Sequence, residues 1–198
     1  MPSPLALALL TLSSVALSPY SHACAAPETE TSSILDMFSD ATSPVTLGPR
    51  IVITDQAMGG TSHADQSVSD GIITVKGELI PGRGSPAFVS LVLPLESKGQ
   101  PRDRAHYEGV RLRVRVHQGT LSVQVGSADI QNFDYHTSAP LVRKGDGFQE
   151  VKVPFKALKR VWSEQTPLNL AAITSVNLVV AGMQKGTFAY QLDEIGFY

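Results

Sequence analysis

Cysteine is almost absent: the chain holds one, Cys24, in 198 residues. A fold stapled by disulfides is therefore excluded, and so is a structural Cys-rich zinc site. Charge of one sign is also lacking. The formal net charge of −2 argues against a nucleic-acid binder, which needs concentrated Lys and Arg to replace counterions along the phosphates. No apolar run reaches about 18 residues, the length a spanning helix needs. The catalytic motifs that a sequence can display are missing too: no G-x-S-x-G elbow, no P-loop, no C-x-x-C and no H-E-x-x-H. The five histidines, His22, His63, His106, His117 and His136, are never spaced as a metal pair. No metal, no cofactor and no catalytic residue is expected. Carboxylates are plentiful, so an acid-pair enzyme stays open by count alone.

The first residues differ in kind from the rest. "LALALLTLSSVAL", residues 5–17, is apolar and small, and no charge precedes Glu28. Ser18-Pro19 follows, and Ala23 and Ala25 stand at the −3 and −1 positions of an A-x-A cleavage site. Residues 1–25 are read as a secretory signal peptide, which places the mature protein in the periplasm or outside the cell, with no transmembrane segment after removal. A lipoprotein signal would instead cut before Cys24 and acylate it. Residues 26–33, "APETETSS", are polar and small and read as a flexible linker. The folded domain is expected over 34–198.

What this domain does contain is alternation. "GVRLRVRVH" puts Val110, Leu112, Val114 and Val116 on one side and Arg111, Arg113, Arg115 and His117 on the other. "TLSVQVG", "EVKVPF" and "TFAYQLDEIGFY" follow the same period of two, the mark of half-buried strands. Turn signals separate them, among them Asp70-Gly71, Pro81-Gly82 and Lys185-Gly186. "VRLRVRVHQGTLSVQVG" predicts a hairpin. "FKALKRVWS" is the best helix candidate, about two turns long. The whole predicts an all-β, antiparallel β-sandwich or jelly roll.

Three surfaces are candidates for binding. The arginine row places three guanidiniums on one sheet face about 7 Å apart, either paired with acids such as Glu150 or free to take an acidic partner. "NFDYHT" sets Phe133 and Tyr135 on one face and Asp134 and His136 on the other. Trp162, the only tryptophan, is either a core plug or, with Tyr135, His136 and the outward Gln124, part of a ligand face. The third surface is the loop "TDQAMGGTSHAD". Asp55 can accept from backbone N–H groups of its own turn, Thr61 and Ser62 likewise, Met58 can pin the loop to the core, and Gly59-Gly60 allow a positive φ or a close approach. The loop can thus be wholly self-satisfied, or it can be a contact surface.

"TDQAMGGTS" resembles the D-x-V-M-G-G-x-S signature of the complex I intermediate-associated protein 30 family through Asp55, Met58, Gly59, Gly60 and Ser62. "GIITVKGEL", "GRGSPAFVSLVLPL", "YEGVRLRVRV", "FQEVKVPFKAL" and "GTFAYQLDEIGFY" resemble the family's later segments in the same order. "GPRIVI" stands where the family usually carries an aromatic ahead of the signature. The resemblance implies a galactose-binding-like jelly roll, a shape shared with carbohydrate-binding modules, and a chaperone-like or assembly-associated binding role, here with a protein partner in the cell envelope. A glycan is the alternative ligand.

Overall fold

The computed structural model describes residues 33–40 and 48–198; the signal peptide expected over residues 1–25, and the expected linker up to residue 32, lie outside the described residues. The compact unit spans Ser32–Tyr198. Among the described residues twelve strands follow in chain order: β1 Ile34–Asp36, β2 Ile51–Thr54, β3 His63–Ser69, β4 Ile72–Leu79, β5 Ala87–Pro94, β6 Gly109–Gln118, β7 Thr120–Ser127, β8 His136–Thr137, β9 Leu141–Val142, β10 Gln149–Pro154, β11 Ile173–Gly182 and β12 Gly186–Phe197. Every strand pairing is antiparallel. One sheet runs β10-β6-β12-β4-β3, with β1 on β12; the other runs β2-β5-β11-β7-β8, with β9 on β7. The fold is an all-β sandwich, and among the described residues helical structure is limited to four short 3₁₀ turns.

Period two builds the core directly. Leu112, Val114 and Val116 of β6, Ile73 and Val75 of β4, and Phe188, Tyr190 and Leu192 of β12 line the inner face of the first sheet. Val89, Leu91 and Leu93 of β5, Leu121, Val123 and Val125 of β7, and Val176, Leu178 and Val180 of β11 line the second. All are nearly inaccessible to water. β1 is tied in by a buried ion pair: Arg50 donates to both oxygens of Asp36, at 2.7 and 2.9 Å, and its guanidinium lies over the ring of buried Phe38.

Two sequence expectations fail here. β6 and β7 do not form a hairpin. They lie in different sheets, and the single residue Gly119 carries the chain across the sandwich. One residue is too short for the two-residue turn that joins paired strands, and alternation cannot tell two strands that pair from two that stack, since both bury the same side. "FKALKRVWS" is not a two-turn helix either. Only Phe155–Ala157 turns. The chain then extends so that Lys159 exchanges two backbone bonds with Thr137, at 2.8 and 3.0 Å, and this pairing overrides a weak local helix preference.

Candidate functional site

The signature loop is closed on itself. β2 ends in a 3₁₀ turn, Asp55–Met58, capped by Gly59 at φ 80°. Asp55 is buried and accepts from the Ser62 N–H at 3.0 Å, the Ser62 hydroxyl at 2.6 Å and the Phe88 N–H at 3.2 Å. The Ser62 oxygen in turn accepts from the Ile80 N–H. Thr61 joins through its backbone, its N–H donating to the Ile80 carbonyl. One carboxylate thus ties the end of β2 to the chain that crosses from β4 to β5. A Cβ on Gly60 would sit 2.2 Å from the Asp55 carboxyl carbon, so the second glycine is needed for close approach. Met58 does not pin the loop; it is exposed, because the turn points its side chain away from the sandwich.

The arginine row lies on the outer face of the first sheet. A bulge at Asp193 puts two consecutive acids opposite it. Arg113 pairs with Asp193 at 2.6 Å and Arg111 with Glu194 at 2.7 Å. Glu150 sits opposite Arg113 in the β10–β6 register. Arg115 donates to the Gln191 side-chain oxygen and lies over the Phe148 ring. Arg111 and Arg113 are therefore neutralised from within their own sheet, and Arg115 is held there by neutral partners.

Gln124, Tyr135 and Trp162 belong to the other side of the molecule. On the outer face of the second sheet, pairing aligns Ile51, Val92, Asn177, Gln124 and Thr137 across five strands. The β2–β5 half of this row is apolar, with Ile51 and Ile53 exposed; the β11–β7–β8 half is polar. Ser90, Ser175 and Asn177 of this face are buried, covered by longer neighbours on the face rather than by the core.

At the end of this sheet two loops are clamped together. Asp134 is fully buried and accepts from three successive N–H groups of the facing loop, Val161 at 2.8 Å, Trp162 at 3.1 Å and Ser163 at 2.7 Å. Burial alone would raise its pKa, but the donors, first that of Val161, outweigh burial and hold the carboxyl below its ordinary value. Arg160 adds bonds to the Asp134 carbonyl and to Asn132, and Asn132 donates to Ser163. The clamp holds Phe133 at φ 60°, a region costly for a bulky residue, with its ring 73% exposed and edge-on to Tyr135. Trp162 is 68% exposed; it is no core plug, because its segment bends around the Asp134 carboxylate and is held there by its backbone. His136, expected on the ligand face, is buried instead, its Nε2 2.7 Å from the Thr166 carbonyl oxygen. The alternation of "NFDYHT" holds here with aromatics outward and Asp134 and His136 inward. Asp134, Arg160 and Asn177 escaped the sequence reading because their roles depend on partners far away in the chain.

Among the described residues no group of three or more His, Cys or acidic side chains gathers as a metal site. A depression of about 450 Å³ at the end where β6 crosses to β7 and β11 to β12 is lined by Leu79, Gly119, Met183, Gln184 and their neighbours, none of them titratable.

Solved structures share this architecture. The family 11 carbohydrate-binding module of a cellulosomal cellulase of Clostridium thermocellum superposes with a TM-score of 0.58 at 13% identity, over 83% of this chain and 92% of that one. The family 11 module of the same organism in complex with a β-1,3-1,4-mixed-linked tetrasaccharide gives 0.56 at 13% identity, over 83% and 94%. An agarase gives 0.52 at 11% identity, over 82% of this chain and 24% of the enzyme. At these identities the likeness concerns the fold, a galactose-binding-like jelly roll. No individually curated protein matches the sequence. The sequence pattern of complex I intermediate-associated protein 30 matches residues 40–192, most of the chain, and with the buried Asp55–Ser62 signature and the jelly roll in place, the chain belongs to the complex I intermediate-associated protein 30 family.

Proposed function

We propose that this protein is an exported, non-catalytic binding module whose ligand is a glycan, held by the outer face of the second sheet and by the aromatic loops at its end. The observation that carries the reading is the clamp: Phe133 and Trp162 stand in water on loops fixed by a buried carboxylate. Exposed aromatics cost stability unless something covers them, and a rigid ring loses little entropy on stacking against the C–H face of a sugar. The row beside them supplies what a sugar needs next, an apolar half for ring faces and amide and hydroxyl groups for its hydroxyls. A fold relative in complex with a tetrasaccharide supports the choice. Ala23-x-Ala25 supports export to the periplasm or beyond, where glycans are met.

Affinity electrophoresis of the exported protein through gels containing neutral or acidic polysaccharides tests this. Retardation by at least one polysaccharide is expected, and Trp162→Ala and Phe133→Ala should each reduce it at least tenfold with melting temperatures within a few degrees of the parent. Full mobility in every gel would overturn the reading.

A polypeptide partner in the envelope, with a chaperone-like or assembly role, is the second reading. Its support is the edge strand β2, which exposes Ile51 and Ile53 and carries none of the charges or prolines that usually guard an edge. Co-purification of one envelope complex with the exported protein, lost on Ile53→Lys and kept on Trp162→Ala, would favour it.

A further inference from the structure

The polar half of the outer face has a direction. Thr137 donates its hydroxyl proton to the Tyr135 carbonyl at 2.9 Å, so toward Gln124 it can only accept. Gln124 therefore turns its amide nitrogen to Thr137, at 3.1 Å, and its oxygen the other way. That oxygen meets the side-chain nitrogen of Asn177 at 3.5 Å. The relay ends at the Asn177 Oδ1, which has no partner although the residue is only 3% exposed. Buried acceptors are nearly always satisfied, and this one lies at the centre of the sheet face, between the apolar and polar halves. The Oδ1 itself shows almost no surface to solvent, so a ligand reaches it where the half-buried side chains of Gln124 and Thr137 beside it give way.

We infer that Asn177 Oδ1 is the specificity point of the proposed glycan site and selects a ligand that donates a hydrogen bond there: a neutral, hydroxyl-bearing sugar, not an acidic one. A carboxylate or sulfate oxygen offers only acceptors and would face another acceptor there; Lys159, which the register places beyond Thr137 on the same row, is three strands away from Asn177. This inference rests on the glycan reading.

The test compares the full exported protein with three variants in gels of neutral β-glucan, xyloglucan or galactomannan and of acidic polygalacturonate or alginate. Thermal melts check folding. Asn177→Leu removes the acceptor at similar volume and should weaken retention by a neutral polymer at least tenfold. Thr137→Val removes the anchor of the relay from a two-residue edge strand that tolerates valine. The Gln124 amide is then free to turn its nitrogen onto Asn177 Oδ1, so binding should fall several-fold although no variant atom need touch the sugar. Trp162→Ala is the control for the platform. If the parent is retained and Trp162→Ala is not, while Asn177→Leu and Thr137→Val bind like the parent, the relay has no part in recognition and the inference is wrong, although the glycan reading survives. Retention by acidic polymers alone overturns it in the same way. If no polymer of either class retards the parent, both the inference and the reading beneath it fall.

Discussion

Asp55 and Asp134 solve the same problem in two ways. Each is a buried carboxylate with no cation bonded to it as its main partner, satisfied instead by N–H groups. Asp55 is legible in its nearer half: the Ser62 donors lie within a short motif, so the sequence alone suggests a self-satisfied turn, while the third donor, the Phe88 N–H, comes 33 residues later. Removing it in Asp55→Ala leaves two N–H groups and a hydroxyl unpaired and should cost about 1–3 kcal/mol, measured by urea denaturation followed by circular dichroism. Asp134 was not legible, because its donors come 27 to 29 residues later. Its pKa is lowered in the folded protein. A carboxyl of this kind contributes stability that is present above its unfolded pKa of about 3.9 and lost as pH falls through the folded value. Acid should therefore loosen the 130–135 and 160–166 loops below about pH 4. In Asp134→Asn that acid limb should be absent, with the loops already loose at neutral pH, as amide hydrogen exchange of Val161, Trp162 and Ser163 would report.

Strands were read well at the level of the element and their partners less so. Alternation identifies which side of β6, β7, β10 and β12 is buried, and the arginines do face outward as it requires. It carries no information on which strand lies next to which, and the β6–β7 hairpin failed for that reason. The bulge at Asp193 was equally hidden, since it appears only in the register between β12 and β6. It decides the character of the arginine face. Arg113 is well exposed and paired across strands, and such pairs are worth about 0–1 kcal/mol. Arg113→Gln should thus shift stability by less than about 1 kcal/mol and leave polysaccharide retention unchanged. A loss of retention without unfolding would move the ligand surface to the first sheet.

The sandwich itself was the most legible feature of the molecule, because thirty or so apolar residues in period two admit few other ways to bury one side of every strand. The site was less so. Trp162 follows a segment whose pattern mimics a helix, and only the pairing of Lys159 with Thr137 makes clear that the chain is extended and the indole free. The two candidate faces, arginines and aromatics, are separated by the whole thickness of the sandwich. The side with the arginines pairs two of its three within the sheet, while the other is amphipathic and bordered by uncovered rings.

Because the protein has a single tryptophan, fluorescence of Trp162 tests the account most directly. Free in solution the indole should emit as a hydrated side chain and be readily quenched by acrylamide. Saturation with the polysaccharide that retards the protein most should shift the emission to the blue and cut quenching several-fold. If that polysaccharide binds and Trp162 stays as quenchable as before, the ligand lies elsewhere and the aromatic clamp is not the site.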